Sequence, residues 1–134
     1  QLFGYKPFPS YAGEIEDKSV VYRKTKFAYC YENVADLPDY ITEKIFDCFF
    51  AGCVPVYWGS QTIGERIPSE CFIDRRQFAS TADVHRYLKS IDAKTYVRYQ
   101  EHIADFLKSP AAMAFDTTRY VSIIRRRILS DLEQ

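Results

Sequence analysis

The sequence predicts an α/β fold, a parallel sheet with helices on both faces, and three observations lead to this prediction. Short apolar runs of strand length alternate along the chain with longer segments whose apolar residues recur at helical spacing. Strands separated by helices are typical of parallel sheets, because a parallel connection needs a long crossover that a helix usually supplies. The 134 residues, of which 47% are hydrophobic, suffice for one domain with its own core.

The first half of the chain is predicted to contain a complete strand–helix–strand unit. In chain order we expect a strand end over 2–4, a loop over 5–14, a short helix over 15–24, a strand over 27–31, a helix from about 40 to 51, and a strand over 53–58. Thr42 or Asp39 can cap the longer helix, and Gly52 follows its end. The residues predicted to face inward are Ile15, Val20 and Val21 in the short helix, and Ile41, Ile45, Phe46, Phe49 and Phe50 in the longer one.

The second half is predicted to be mostly helical. We expect a short helical piece over 61–66, a strand over 71–74, a helix capped by Ser80, and helices over about 93–108 and 116–132. Apolar residues recur along the last helix at Val121, Ile124, Ile128 and Leu132. Pro55 lacks an amide hydrogen, so the first half of its strand is expected to stay away from central pairing.

Composition excludes several classes of function. Eighteen basic and eighteen acidic side chains cancel, whereas nucleic-acid-binding domains usually carry a basic excess, so no nucleic-acid partner is expected. No membrane span or signal peptide is visible, and because the chain starts inside an apolar run we expect a piece of a longer protein. The four cysteines form neither a CxxC pair nor a ligand spacing with histidine, which predicts four reduced, buried thiols and no metal site.

Polar residues stand at three points that should share one edge of the sheet. They are residues 32–33 after one strand, 43–44 at the next helix start, and 58–60 after the following strand. Lys44 beside the free amides of a helix start suits a phosphate, and the Glu43 carboxylate suits ribose or sugar hydroxyls. Asn33 offers a donor and an acceptor, and Tyr40 a ring face and a hydroxyl. Together they suit a diphosphate with a sugar on each side.

Structural roles compete with each of these assignments. Glu43 and Lys44 are ordinary residues for the first turn of an exposed helix, and Asp47 follows Glu43 by four residues, as on a solvated face. Asn33 at a strand end is more often a turn residue. Trp58 can pack against its neighbours instead of stacking on a ligand. Neither a GxGxxG nor a GK[ST] phosphate loop is present.

The stretch KFAYCYEN…DYITEKIFDCFFAGCVPVYWGS resembles the signature of glycosyltransferase family ten, the α-1,3/1,4-fucosyltransferases. The matching positions are Lys26, Phe27, Glu32, Asn33, Tyr40, Thr42, Glu43, Lys44, Gly52, Pro55, Val56, Tyr57, Trp58 and Gly59. The sequence departs from the family pattern at Tyr31, where Phe is usual, and at Val34, where Ser is usual. Weaker similarity extends back to residue 4 and forward to about residue 78.

The resemblance implies a Rossmann-like lobe of a two-lobed GT-B glycosyltransferase. Residues 1–134 would form the C-terminal lobe that binds GDP-fucose, with the N-terminal acceptor lobe absent. By matching positions, the donor would contact Asn33, Tyr40, Glu43 and Lys44, with Lys44 at the diphosphate. The family also uses a basic residue after the first strand of this lobe, and Lys6, or else Arg23, would fill that role.

The resemblance also implies a reaction, the transfer of L-fucose from GDP-β-fucose to a glycan hydroxyl with inversion. Lys44 would stabilise the leaving GDP, and a carboxylate, Glu43 or Glu32, would support positive charge on the sugar ring. The general base would belong to the missing lobe, so the chain alone should bind GDP weakly and transfer nothing. No tightly bound cofactor and no metal are expected, because no DxD motif is present.

Two other functions stay open from the sequence, a nucleotide-sugar-binding module without transfer activity and a GT-B transferase that uses another nucleotide sugar. The glycan acceptor would be held by the missing lobe. Arg125, Arg126 and Arg127 lie on a helix with apolar neighbours and could rest on an anionic membrane, or form a solvated basic turn. The absence of an Asn-x-Ser/Thr sequon favours a bacterial cytoplasmic enzyme, either free or membrane-associated, over one of the Golgi lumen.

Overall fold

The computed structural model describes residues 17–132, and for the last helix it describes only some of the side chains. The strands are β1 (Phe27–Tyr31), β2 (Val54–Trp58) and β3 (Ile73–Asp74). The helices are α1 (Lys18–Tyr22), α2 (Glu43–Phe50), α3 (Thr81–Ser90), α4 (Ala93–Lys108) and α5 (Thr117–Leu132). Short 3₁₀ turns span Ile63–Glu65, Ser69–Cys71, Arg75–Gln77 and Ala112–Phe115. The strand end predicted over 2–4 and the loop over 5–14 lie outside the described residues.

The three described strands form one parallel sheet in the order β1-β2-β3, which confirms the predicted α/β class. Phe27 pairs with Val54 and Tyr31 with Trp58, so β1 and β2 are in register along their whole length. Strand β3 is short and pairs only with Val56 and Tyr57. Because all three strands run the same way, their carboxyl ends share one edge, which we call the rim.

The prediction for Pro55 was wrong in part, because β2 is the central strand. Pro55 lies opposite Ala28 of β1, inside the paired region. The Val54 amide donates to the Lys26 carbonyl oxygen at 2.9 Å, and since hydrogen bonding alternates along a strand, Pro55 faces the β3 side. Strand β3 begins opposite Val56, so the missing amide hydrogen of Pro55 costs no ladder bond there.

Helix α2 crosses between β1 and β2 and packs on both strands. Thr42 caps it, since its Oγ1 accepts from the Lys44 amide at 3.5 Å, and Gly52 ends the turn after it at φ +72°. Ile45 and Phe49 are buried as predicted, but Phe50 is 72% exposed, so its predicted inward orientation was wrong. Helix α2 has only eight residues, so fewer positions of the predicted apolar pattern face the strands.

Two further helices, α1 and α5, expose apolar residues that the sequence pattern places on one helix face. Helix α1 spans Lys18–Tyr22 instead of the predicted 15–24, and Val20 and Val21 are exposed rather than turned inward. Ile15, the third residue predicted to face inward there, lies outside the described residues. On α5, Val121, Ile124 and Ile128 are exposed, because no described element covers that stripe. Periodicity indicates which face of a helix is apolar, but a partner element decides whether that face is buried.

The core surrounds β2, whose first four residues are fully or almost fully buried. The buried apolar residues are Cys30, Ile45, Cys48, Phe49, Cys53, Val54, Val56, Tyr57, Ile63, Ile67, Cys71, Phe72, Ile73, Val84, Ile103 and Phe106. All four cysteines are among them and none is in a disulfide, which confirms the prediction of reduced, buried thiols.

Candidate functional site

Two polar residues, Glu32 and Asn33, follow strand β1 at the rim, beside Trp58 at the end of β2. The Glu32 amide donates to the Trp58 carbonyl oxygen at 2.8 Å, which continues the β1–β2 ladder by one residue past Tyr31. Asn33 follows and is exposed. Trp58 is 42% exposed and its ring meets the Tyr31 ring edge-on at 5.7 Å. The Trp58 ring therefore both packs on a neighbour and faces solvent, which leaves both of its predicted roles standing.

The Glu32 side chain is buried behind the rim. Its Oε1 accepts from the Thr42 amide at 2.9 Å and its Oε2 from Thr42 Oγ1 at 2.7 Å, and the side chain is 0% exposed. A buried carboxylate is stable only when it is paired and hydrogen-bonded, and Thr42 supplies two of those bonds. The contacts of Glu32 fix the start of α2 to the end of β1. Its predicted contact with a donor stays a prediction.

Lys44 points from the first turn of α2 towards the end of β1. Its Nζ donates to the Tyr31 carbonyl oxygen at 3.0 Å and to Asn33 Oδ1 at 2.8 Å, and lies 3.6 Å from Glu32 Oε2. An ammonium group has three N–H donors, so these three oxygens match its capacity. With 28% of the side chain exposed, the cation lies at the surface of the rim and is held there by fixed acceptors.

The end of β2 turns tightly beside this cluster. A Cβ at Gly59 would lie 2.4 Å from Tyr57 Oη and 2.5 Å from Glu32 Cγ, so only glycine fits there. The Tyr57 hydroxyl accepts from the Ser60 amide at 3.1 Å. Burial raises the pKa of Tyr57 to about 12, so the phenol stays protonated near neutral pH. Gly59 therefore lets β2 approach β1 closely enough to enclose Glu32.

Tyr40 is held by the loop that leads into α2. The Ile41 amide donates to the Asp39 carbonyl oxygen at 2.9 Å, so Tyr40 occupies the centre of a tight turn, and its side chain is half-buried. Asp39 has φ +58°, in the left-handed region. The Arg66 guanidinium, which donates to both Asp39 oxygens, lowers the pKa of that carboxyl group.

Glu43 does not join the cluster around Lys44. Its side chain is 70% exposed, and its Oε1 lies 4.0 Å from Lys18 Nζ of helix α1. Lys18 also pairs with Asp47 at 2.5 Å, and the Asp47 carboxylate raises the pKa of Lys18. An exposed carboxylate at the helix start can still accept hydrogen bonds from hydroxyl groups of a ligand.

The structure thus brings Glu32, Asn33 and Lys44 into contact and places Tyr40 on the loop beside them. Glu43 stands on the solvent side of α2. Lys6 lies outside the described residues, and Arg23, its alternative, is an exposed residue at the end of α1. The assignment of all these residues to a donor stays a prediction.

Sequence reasoning about function overlooked Thr42, Gly59, Asp39 and Arg66. Thr42 is a helix cap and a motif position in the sequence analysis, and Gly59 is a motif position, but the bond of Thr42 to Glu32 joins residues ten positions apart and has no sequence signal. Arg66 had no sequence signal, because its partner Asp39 is 27 residues away along the chain.

Two grooves flank the sheet, and Lys44 lines neither of them. One, of about 560 Å³, lies beyond β3 and includes Asp74, Arg76, Tyr99 and His102. The other, of about 580 Å³, lies along α2 on the Glu43 side and is mostly apolar. The rim cluster therefore lies outside both of these grooves, with the Lys44 side chain 28% exposed.

No group of three or more His, Cys, Asp or Glu side chains in the described part of the chain is arranged to hold a metal ion. Over the same residues, no helix has the length and apolar character needed to cross a bilayer.

Comparisons with known proteins agree with the motif at the rim. The family model for the C-terminal part of glycosyltransferase family 10 (fucosyltransferase) matches residues 6–121. A mouse protein, 4-galactosyl-N-acetylglucosaminide 3-alpha-L-fucosyltransferase 9, is 35% identical over 98 residues, which cover 69% of this chain and 27% of the relative. Alpha-(1,3)-fucosyltransferase FucT of Helicobacter pylori is 29% identical over 75 residues, covering 56% of this chain and 16% of the relative.

Solved structures give the same result. A crystal structure of alpha1,3-fucosyltransferase with GDP-fucose matches with a TM-score of 0.52 and 25% identity over 73% of this chain and 27% of that one. A structure of alpha1,3-fucosyltransferase with GDP matches with a TM-score of 0.50 and 26% identity, covering 71% and 26%. This chain spans about a quarter, or less, of the length of these proteins. It belongs to glycosyltransferase family 10, the fucosyltransferases, and corresponds to part of their C-terminal region.

Proposed function

We propose that this chain is the donor-binding part of an inverting fucosyltransferase that moves L-fucose from GDP-fucose to a glycan hydroxyl. The observation that carries the proposal is the meeting of Lys44, Asn33 and the first turn of α2 at the carboxyl ends of two parallel strands. Ligands of open parallel sheets bind at that edge, and a helix start with a cation beside it suits a diphosphate. Membership of the family makes fucose on GDP the favoured donor.

Lys44 would bind the diphosphate by exchanging partners. In the structure its ammonium group donates to Asn33 and to the Tyr31 carbonyl oxygen. A phosphate oxygen would replace one of these acceptors, and the released Asn33 amide could turn its own donor towards the ligand. Cleavage of the sugar–phosphate bond places negative charge on GDP, and a charge-assisted bond from Lys44 would stabilise it by about 1.5–3 kcal/mol.

The two carboxylates take different roles in this proposal. Glu43 is exposed at the start of α2 and would accept hydroxyl groups of the ribose or of fucose. Glu32, with both oxygens bound to Thr42, would support Lys44 electrostatically from behind. Lys6 would add a second positive charge at the diphosphate.

Transfer needs groups that this chain does not supply. We assign the acceptor site, the opposite wall of the donor cleft and the general base that deprotonates the acceptor hydroxyl to an N-terminal lobe. The lengths of the relatives support this assignment, since the matched region covers only 27% of the mouse relative and 27% of the fucosyltransferase solved with GDP-fucose. The isolated chain is accordingly expected to bind GDP weakly and to transfer no fucose.

Calorimetry with GDP tests the role of Lys44. Lys44→Ala should weaken GDP binding by roughly tenfold or more, because the loss of a charge-assisted bond of about 1.5–3 kcal/mol corresponds to that factor. Lys89→Ala, which removes an exposed lysine from α3, is the matched control and should bind like the parent chain. Thermal unfolding of each variant confirms that it is folded. Equal GDP affinity in the parent and in Lys44→Ala would remove Lys44 from the site.

A comparison of nucleotides tests the choice of donor. GDP should raise the thermal unfolding midpoint of the chain more than UDP or ADP at the same concentration, because of ligands that bind only the native state the tighter one stabilises it more. A larger shift with UDP or ADP would favour a transferase that uses another nucleotide sugar. A shift with GDP but no fucose transfer by the full-length protein would favour a module that only binds.

Contact with a membrane surface is a separate, smaller proposal. Helix α5 exposes Ile124, Ile128 and Leu129 together with Arg125 and Arg126, as an interfacial helix does. The chain should then sediment with vesicles that contain anionic lipid and stay in solution with neutral ones. A bacterial cytoplasmic location stays a prediction, since the matched relatives include mammalian and bacterial proteins.

A further inference from the structure

A small polar cluster ties the loop before α2 to the segment after β2. We call it the latch, and it consists of Asp39, Ser60, Thr62 and Arg66. The Asp39 amide donates to Ser60 Oγ and to Thr62 Oγ1, with a nitrogen-to-oxygen distance of 3.0 Å in each case. The Asp39 carboxylate accepts from Arg66 Nε at 3.0 Å and from Arg66 Nη2 at 2.9 Å. The loops that follow two neighbouring strands are thus joined at one residue.

The backbone of Asp39 is in an unusual conformation that the latch maintains. Its φ of +58° lies in the left-handed region, where Asp is more tolerated than most residues but still rare. Such conformations persist when the surrounding contacts determine them. Since Asp39 precedes Tyr40 directly and Thr42 by three residues, this conformation sets the direction in which the chain enters α2.

We propose that Asp39 and Arg66 are positioning residues for the donor, which hold Tyr40 and the first turn of α2 where the diphosphate is bound. This inference rests on the proposed function. Both side chains are 52% exposed, and an exposed ion pair contributes little to global stability. The bidentate geometry instead fixes one local arrangement before any ligand arrives, which lowers the ordering cost of binding. Neither residue contacts the donor; the latch acts through Tyr40 and α2.

The first test compares two arginines that each pair with an aspartate. Arg66→Met opens the latch, and Arg86→Met removes the exposed partner of Asp83 on α3, where Arg86 Nη1 lies 2.8 Å from Asp83 Oδ1. Both variants lose one positive charge and a similar side-chain volume. Arg66→Met should weaken GDP binding about fivefold to tenfold with little change in the thermal midpoint. Arg86→Met should leave both quantities unchanged.

The second test asks whether Asp39 and Arg66 act as one unit. Asp39→Asn removes the charge but tolerates the left-handed conformation. If the latch is the cause, the double variant Asp39→Asn/Arg66→Met should lose no more GDP affinity than the stronger single variant. Arg66→Lys keeps the charge without the bidentate fork and should recover part of the affinity.

The outcomes separate the latch from the proposed function. Weaker binding in Lys44→Ala with normal binding in Arg66→Met would overturn the latch alone. Additive losses in the double variant, or an equal loss in Arg86→Met, would also overturn it. If Lys44→Ala and Arg66→Met both bind GDP like the parent, the donor site itself is elsewhere and the proposed function fails.

Discussion

At the scale of single residues, Glu32 illustrates how a charge can be buried next to a binding surface. Its side chain is fully enclosed, and Thr42 gives one hydrogen bond to each carboxylate oxygen. Lys44 Nζ adds an opposite charge at 3.6 Å. Removing water from a carboxylate is costly unless such partners replace it, so the three side chains depend on each other.

Thr42→Val tests this dependence, because valine has nearly the same shape but no hydroxyl. The change removes the 2.7 Å bond to Glu32 Oε2 and the cap on the Lys44 amide. A buried acceptor left without its donor should lower the free energy of unfolding by about 1–3 kcal/mol. Urea denaturation measures this loss of unfolding free energy, and Thr42→Ser, which keeps the hydroxyl group, is the control. Equal destabilisation by the two variants would show that the methyl group, not the hydrogen bond, matters.

Gly59→Ala tests the close approach of β2 to Glu32. The added Cβ would lie within 2.5 Å of Glu32 Cγ and Tyr57 Oη, so the backbone or both side chains must move. Overpacking of this kind typically costs about 1–3 kcal/mol of unfolding free energy. Gly64→Ala is the matched control, because its Cβ would meet nothing within 4 Å. Equal denaturation midpoints for Gly59→Ala and Gly64→Ala would contradict the described geometry.

Residue types and spacing predicted the meeting of Asn33 and Lys44, because both follow from the ends of adjacent parallel elements. They could not predict the partners of Asp39, since the left-handed turn and the bond to Arg66 depend on how two loops cross in space. The exposure of Glu43 and the burial of Glu32 were equally hidden, because both are acidic residues near the same edge. Only the three-dimensional arrangement distinguishes them.

At the scale of elements, helix starts were the best predicted features. Thr42 and Ser80 each cap the helix for which the sequence proposed them, and α4 spans the predicted 93–108. These signals are local, because a capping side chain bonds to an amide two or three residues away. The exposure of Phe50 and of the apolar stripe of α5 was not predictable, because burial depends on whether a distant element covers that face.

The start of α4 should respond to pH through Asp92. The Asp92 carboxylate accepts from the Thr95 amide at 2.7 Å, and this hydrogen bond lowers the pKa of Asp92 from its ordinary value. Because the pKa of Asp92 is lower in the native state than in the unfolded chain, its ionised form stabilises the native state. This contribution is complete above the unfolded-state pKa of aspartate, about 3.9, and is lost as the pH falls through the native pKa.

Asp92→Asn measures this contribution, because asparagine caps a helix without titrating. The parent chain should be the more stable at pH 7, and the difference in urea midpoints should shrink or vanish near pH 3. Asp92→Asn keeps every other titrating group of the chain, so the difference between the two proteins reports on Asp92 alone. A difference that is constant from pH 7 to pH 3 would show that the Asp92 charge does not support α4.

At the scale of the whole molecule, one core around β2 includes all four cysteines. Cys30 raises the pKa of Cys48 to about 12 through a side-chain hydrogen bond, and burial raises the pKa of Cys71 to about 12. Thiols react as thiolates, so Cys48 and Cys71 are both inaccessible and protonated in the native state near neutral pH, and Cys30 and Cys53 are inaccessible through burial.

A thiol reagent at pH 7 should therefore label none of the cysteines quickly in the native chain and all four in denaturant. Because each thiol lies in the same core, the slow native labelling should follow global unfolding and respond to Gly59→Ala in proportion to its destabilisation. Rapid labelling of any one cysteine in the native chain would locate a local opening of the core.

The parallel pairing of β1 with β2 also has a consequence for the order in which the chain folds. Phe27 pairs with Val54 in parallel, so no hairpin can bring these strands together, and we expect α2 to form before they pair. We expect changes in the face of α2 that packs on the strands, such as Ile45→Val, to slow refolding, and changes in α5 mainly to speed unfolding. The segment that presents Lys44 would then belong to the nucleus from which the rest of the domain grows.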